Sequence, residues 1–253
     1  MKLARISTVH GPAPAVLEGE SWAVIRDMFD SELIKTGERI PLAQARLLAP
    51  TVPRIVLGMA HNSGPEDRKI PPQAFSKSSR TVVGPGSPIE IDTGLGAVNI
   101  EGELAIVFRN FARRLSPEEV PAAILGATIG NDVTAIDQIP LDEKMTQVKN
   151  GDGFTPLGPV IETDISWDNA PIDVAIDGVQ AASGSTAGLA WTIAEQVSYL
   201  TKYLTFGPGD VLLTGSPQTA APVMPGQNVS ITIPQIGTLE NPVVALSGSV
   251  SQS

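Results

Sequence analysis

The chain has 253 residues, a net charge of −10 and no cysteine. That length suits one large β-rich domain, or a main domain with a small appendage, and is enough to bury a substantial core. The acidic balance argues against nonspecific nucleic-acid binding and against an anionic membrane surface, and the missing thiols exclude disulfides, thiolate zinc sites and cysteine nucleophiles.

The N-terminal run MKLARISTVHG carries charge among its apolar residues and has no long hydrophobic core, so it does not read as a signal peptide. No stretch approaches a membrane span, and a cytoplasmic protein is the expected location. With 24 glycines and 22 prolines, many turns between short strands are predicted. Residues 1–50 read as a small appended unit. LARIST and AVLEG are its strands, and Ser31–Thr36 and Leu42–Leu48 are weakly patterned. Pro50 and Pro53 mark a change of character, after which RIVLGMA (Arg54–Ala60) reads as a buried strand. Residues 62–88 are loop-rich, and the polar, proline-flanked stretch 62–72 is a candidate lid.

AVNIEGELAIVF (Ala97–Phe108) is rich in β-formers and has no helical period, so it is predicted to be a strand. Alternation puts Glu101 and Glu103 on one face and Ile100, Leu104, Ile106 and Phe108 on the other. Two carboxylates that close repel, so one must take a proton or both must hold a cation. A solvated sheet face is the alternative reading. Next, Ser116-Pro117-Glu118-Glu119 reads as a capped helix start, shortened by Pro121 and closed by Gly126. Ala127–Ala135 then forms a second strand, and Asp132 near its end is a candidate third carboxylate. The only histidines are His10 and His61, so a bound metal would have mostly oxygen ligands, which favours Mg²⁺ or Mn²⁺.

Lys149 lies in a glycine-rich turn, where a lysine near a metal can neutralise a carboxylate or polarise a carbonyl. The longest helix is predicted over about Thr186–Leu204, stopped by Gly207-Pro208-Gly209. VLLTG, NVSITIP and PVVALSG are strands, the first running into Thr214-Gly215-Ser216-Pro217. The order of elements predicts a β-rich α+β fold. Strictly alternating βα units are absent, which disfavours Rossmann and TIM architectures.

Taken in order, GMAH, EGEL at Glu101, NDVTA with Asp132, Lys149 followed by D-x-F-x-PLGP, and PGDVLLTGSP resemble the fumarylacetoacetate hydrolase family over residues 54–246. The resemblance implies a mixed β-sandwich roll, with a small N-terminal domain over 1–50 and a catalytic domain over 51–253. It also implies a homodimer and Mg²⁺ or Mn²⁺ held by Glu101, Glu103 and Asp132. The substrate would be a small 2-oxo or β-dicarbonyl acid, with Lys149 bonding a substrate oxygen and Thr214 and Ser216 orienting the substrate carboxylate. No nucleic-acid or membrane partner is implied.

Two departures bear on the reaction. Hydrolytic relatives carry a histidine where Gly64 stands. Their acidic position falls on Asp67, and His61 matches a tyrosine. His61, Glu66 and Asp67 are therefore the candidate bases. Ile136 stands where arginine is common; Gln138 and Lys144 are nearby polar substitutes, and Asp137 is left without that partner. The leading expectation is hydrolytic C–C cleavage of the acylpyruvase type. A decarboxylase or keto–enol isomerase is the alternative, and a non-catalytic ligand-binding scaffold is the third.

Overall fold

The computed structural model describes residues 1–246. Strands β1 to β6 are Lys2–Thr8, Gly11–Glu18, Ser21–Ile25, Lys35–Pro41, Val56–Ala60 and Gln73–Lys77. β7 to β12 are Val82–Val83, Ile89–Ile91, Val98–Phe108, Ile124–Asn131, Thr134–Ala135 and Thr155–Glu162. β13 to β18 are Pro171–Ile176, Val179–Ser185, Val211–Leu213, Ala220–Val223, Asn228–Ile233 and Gly237–Ala245. The helices are short: α1 Val120–Ala123, α2 Thr146–Lys149 and α3 Ile193–Thr201.

The larger sheet runs β4-β3-β2-β1-β12-β10-β9-β15-β5-β6, and the smaller runs β14-β13-β17-β18-β8. β9, β10 and β12 pack on β13, β17 and β18 respectively. This is the expected β-rich mixed fold, closed around Ile100, Leu104, Ile106, Ile129, Val174, Ile231 and Leu239. β9 is buried on both faces: Ala105 and Val107 belong to a second apolar cluster with Leu3, Leu157 and Val211. Gly102 is forced by that packing, since a Cβ there would meet a methyl of Val174 at 2.7 Å. β1 pairs with β12, so the first strands continue the larger sheet. Among the described residues, no helix is long and apolar enough to cross a membrane.

Three boundaries differ from expectation. The long helix shrinks to α3. Thr192 and Glu195 form a reciprocal capping box that starts it. Leu189 upstream is extended, behind a single 3₁₀ turn at Thr186–Gly188. The helix at Ser116 is capped as expected but ends before Ile124, not at Gly126. There the pairing of Ile124 with Phe108 draws the chain into the sheet. The strand expected over Ala127–Ala135 is two, β10 and β11, with Asp132 in the break between them. The strand expected in PVVALSG is part of β18, and its Ser247 and Gly248 lie outside the described residues.

Candidate active site

The site lies where β9 changes neighbours on both sides. From Ala105 onwards β9 pairs with β15, and from Glu101 back to Val98 it pairs with β16. The turn Thr214–Thr219 bridges the two and leaves the sheet between them. On the other edge, β10 ends opposite Gly102, and β11 resumes opposite Asn99. Asp132 sits in that gap, its amide donating to the Glu101 carbonyl at 2.9 Å. Both neighbours part at the same level, which opens one face of β9 where the two glutamates project.

Glu101, Glu103 and Asp132 each present a carboxylate oxygen within 4.8 Å of the others. Glu103 and Asp132 are buried, and Glu101 is partly exposed. The Gly215 amide donates to Glu103 Oε2 at 2.7 Å. Gly215 adopts φ +107°, and a side chain there would collide with the Asn62 backbone, so the donor depends on glycine. Lys149 Nζ donates to Asp132 Oδ2 (2.6 Å), Thr134 Oγ1 (2.6 Å) and Glu101 Oε2 (3.2 Å). Its ammonium lies 4.7 Å from the centre of the Phe75 ring. Lys77 Nζ takes the other Asp132 oxygen at 2.5 Å.

Three acids against two lysines leave a surplus negative charge in a poorly hydrated site. Burial pushes the Glu103 carboxyl well above its ordinary 4.5, and Asp132 and Glu101 push the same way. Burial raises Glu101 too, against the pull of Lys149. For Asp132 burial works upward, but Lys149 and Lys77 overcome it and hold the group below 3.8. Burial opposes the charge on Lys149, and Asp132 and Glu101 outweigh it and raise the group. Burial lowers Lys77. The trio therefore calls for a proton or a cation. An all-oxygen, carboxylate-only donor set of this span fits a hard divalent ion.

A cavity of about 340 Å³ opens over Glu101, Glu103 and Lys149, lined also by Met59, His61, Asp67, Phe75, Met145 and Ser216, with Asp132 buried beneath. A larger groove of about 550 Å³ lies over Arg68, Trp191 and Tyr199. Its one acid, Glu195, is committed to Arg68 at 2.7 Å, so the chemistry is assigned to the smaller cavity. The structure thus gathers Glu101, Glu103, Asp132, Lys149, His61, Asp67 and Ser216. It does not bring in Thr214 or Gln138. Thr214 is sealed, its hydroxyl donating to the Leu104 carbonyl at 2.8 Å. Gln138 turns away to donate to the Leu95 carbonyl at 3.0 Å. Asp137, without an arginine, accepts from the Ala97 amide at 2.9 Å. Glu66 and Lys144 are exposed and off the cavity wall. The polar stretch after β5 holds a 3₁₀ turn, Pro65–Lys69. It is tied down by Arg68, which donates to the Ala190 carbonyl and to both Glu195 oxygens.

Sequence reasoning missed Lys77, Thr134 and Asn62. Asn62 is buried and ties the loop after β5 to the Thr214 carbonyl and the Trp191 amide, each at 2.7 Å. The one local signal for Lys77 was its place two residues after Phe75 in the short strand QAFSK, which puts it on the same, buried face.

Residues 55–244 match the fumarylacetoacetate (FAA) hydrolase C-terminal family model, and residues 1–50 match the Rv2993c-like, N-terminal model. Protein Rv2993c of Mycobacterium tuberculosis (strain ATCC 25618 / H37Rv) is 34% identical over 260 residues, covering 96% of this chain and 98% of that protein. Mitochondrial oxaloacetate tautomerase fahd2 of Xenopus laevis is 31% identical over 217 residues, covering 78% of this chain and 68% of that protein. The crystal structure of 5-carboxymethyl-2-hydroxymuconate delta-isomerase from Mycobacterium smegmatis superposes with a TM-score of 0.93 at 35% identity. That match covers 97% of this chain and all (100%) of that one.

Proposed function

The chain belongs to the fumarylacetoacetate hydrolase family, and from that premise we propose that it is a divalent-metal-dependent enzyme acting on a small 2-oxo acid through an enolate, moving a proton rather than adding water. The observation that carries the reading is the clustered Glu101–Glu103–Asp132 trio, with Glu101, Glu103 and Lys149 lining one cavity and Asp132 buried behind them. Glu101, Glu103 and Asp132 would hold the ion, Mg²⁺ or Mn²⁺. A cation bound there draws electron density from a chelating 2-oxo group and so favours the enolate.

The chain's own residues do the rest. Lys149 keeps its charge beside the reacting oxygens, and its longest bond, 3.2 Å to Glu101, is the one a substrate oxygen would replace. The Phe75 ring beneath it keeps water from that side. Ser216, on the wall with its hydroxyl paired to that of Thr219 at 2.9 Å, would orient the substrate carboxylate by turning that hydroxyl towards the cavity. His61, also on the wall and held at φ 52°, is the base that takes and returns the proton at the carbon beside the keto group. All of these residues lie in the proposed catalytic domain, 51–253, behind the small N-terminal domain, 1–50. The same reading takes the protein as a cytoplasmic homodimer.

Isomerisation or tautomerisation leads over hydrolysis because Gly64 stands where hydrolytic members are expected to carry the histidine that activates water. Gly64 has no side chain for it, and Asp67 Oδ2 already accepts the Ser63 amide at 2.8 Å. The tautomerase and isomerase names of the relatives above agree with this order. Hydrolysis of an acylpyruvate is the second reading, favoured by the position of Asp67 on the cavity wall. Incubation with pyruvate, phenylpyruvate and oxaloacetate in deuterated water with Mg²⁺ tests the proposal. Metal-dependent deuterium uptake at the carbon beside the keto group supports it. Acylpyruvate cleavage that carries ¹⁸O from water into the product acid, without such exchange, favours hydrolysis. Metal binding with neither reaction leaves a ligand-binding scaffold.

A further inference from the structure

We infer that the 2-oxo acid this site takes ends in an uncharged, apolar group rather than a second carboxylate; this rests on the function proposed above and names its substrate class. Glu101, Glu103 and Lys149 form one end of the cavity. The rest of the wall sets the apolar Met59, Ala60, Phe75, Ile139 and Met145 beside the hydroxyls of Ser63, Thr134 and Ser216, the His61 ring and the Asp67 carboxylate. Among the described residues no arginine lines the cavity, and the basic groups on it are Lys149 and His61. The three N–H bonds of Lys149 already go to Asp132, Thr134 and Glu101. Gln138, next to Ile139 in sequence, is spent on the Leu95 carbonyl. A carboxylate at the far end of the substrate would lose part of its water against the apolar side chains and face the Asp67 carboxylate, while the nearest cation, Lys149, is held at the head; charge taken from water without a cationic partner is costly.

A second observation points the same way. Ile139 is 41% exposed, and it projects from the 3₁₀ turn Ile136–Leu141 onto the cavity. Met145 lines the same wall with φ 60°. A left-handed backbone is strained for a methionine, and such strain collects where a side chain must be aimed. An apolar tail docking on Ile139 and Met145 would cover surface that otherwise faces water. Methionine, unbranched and polarisable, adapts to tails of different shape. Specificity then comes from the head, by chelation, and from the tail, by exclusion of charge.

The test uses two non-reacting 2-oxo acid mimics of matched length, N-butyl oxamate and N-(3-carboxypropyl) oxamate. Each is titrated into the protein by calorimetry at saturating Mg²⁺. The neutral tail should bind at least about tenfold tighter. Ile139→Arg, at a position exposed enough to tolerate it, should tighten the carboxylate tail by about tenfold and erase the preference. Equal or tighter binding of the carboxylate tail to the wild type overturns the inference and leaves the proposed function standing. Binding of neither mimic, with Mg²⁺ demonstrably bound, overturns the proposed function and the inference with it.

Discussion

Lys77 and Asp132 form a fully buried ion pair, Nζ to Oδ1 at 2.5 Å, with side-chain exposures of 0% and 1%. Asp132 gives its other oxygen to Lys149. One carboxylate is thus clamped from both sides and cannot swing as the site fills. Lys77 touches neither the cavity nor a substrate, so its part is to position Asp132 and offset its charge.

Removing Lys77 strands a buried carboxylate. Lys77→Met should destabilise the metal-free protein by about 3–5 kcal/mol, read by urea unfolding in EDTA. It should also enlarge the rise in melting temperature that Mg²⁺ produces, because a larger negative surplus awaits the cation. An unchanged urea midpoint would show that the pair contributes nothing.

Glu103 gives the metal-free protein a specific pH dependence. Its carboxyl is raised in the folded state, so above the ordinary value of 4.5 the native chain holds a proton that the unfolded chain has released. The stabilising contribution is complete below 4.5 and is lost as pH rises through the folded value, at up to about 1.4 kcal/mol per pH unit. Glu103→Gln should flatten stability over that range in EDTA. Parallel stability curves for the wild type and the variant would contradict the assignment. The same proton must leave when a cation binds, so Mg²⁺ affinity should climb with pH across that interval.

Lys149→Met should retain Mg²⁺ binding and lose roughly 10²–10³ in kcat, the scale of one aimed electrostatic donor. Calorimetry and steady-state kinetics on the same preparation separate the two effects. Full activity would reduce Lys149 to a structural counter-ion.

Thr214 and Ser216 should part company. Thr214→Val removes a buried bond to the Leu104 carbonyl and should cost about 1–3 kcal/mol of stability with KM unchanged. Ser216→Ala, on the cavity wall, removes one hydroxyl pair with Thr219; it should cost about 1 kcal/mol of stability or less and raise KM roughly threefold to tenfold. The reverse pattern would restore the substrate role first expected for Thr214.

The acidic strand was readable from sequence because alternation is local: Glu101 and Glu103 lie two residues apart in a β-rich run. Asp132 was a candidate from its place at the end of a second predicted strand, but its partnership with Glu103, 29 residues earlier in the chain, and the role of Lys149 were strengthened by the order of motifs, since no local rule links them. Thr214 and Ser216 looked equivalent in one turn. Their roles diverge because Thr214 still lies against Leu104 of β9, while Ser216 has left the sheet. Lys77 was hidden for the opposite reason. A lone lysine in a short strand reads as solvated, and only the folding of that strand beside Val133 and Asp132 turns it inward. The overlong helix prediction followed Leu189, whose periodic spacing belongs to an extended segment before the Thr192 cap.

The central claim is that Glu101, Glu103 and Asp132 together grip one hard cation on which a 2-oxo acid seats. Anomalous diffraction from a crystal grown with Mn²⁺ and oxalate tests it most directly. The account predicts one strong manganese peak among those three carboxylates, with oxalate on its open side facing Lys149. Manganese bound elsewhere, or a trio still closed on its lysines with no peak between the acids, would contradict it.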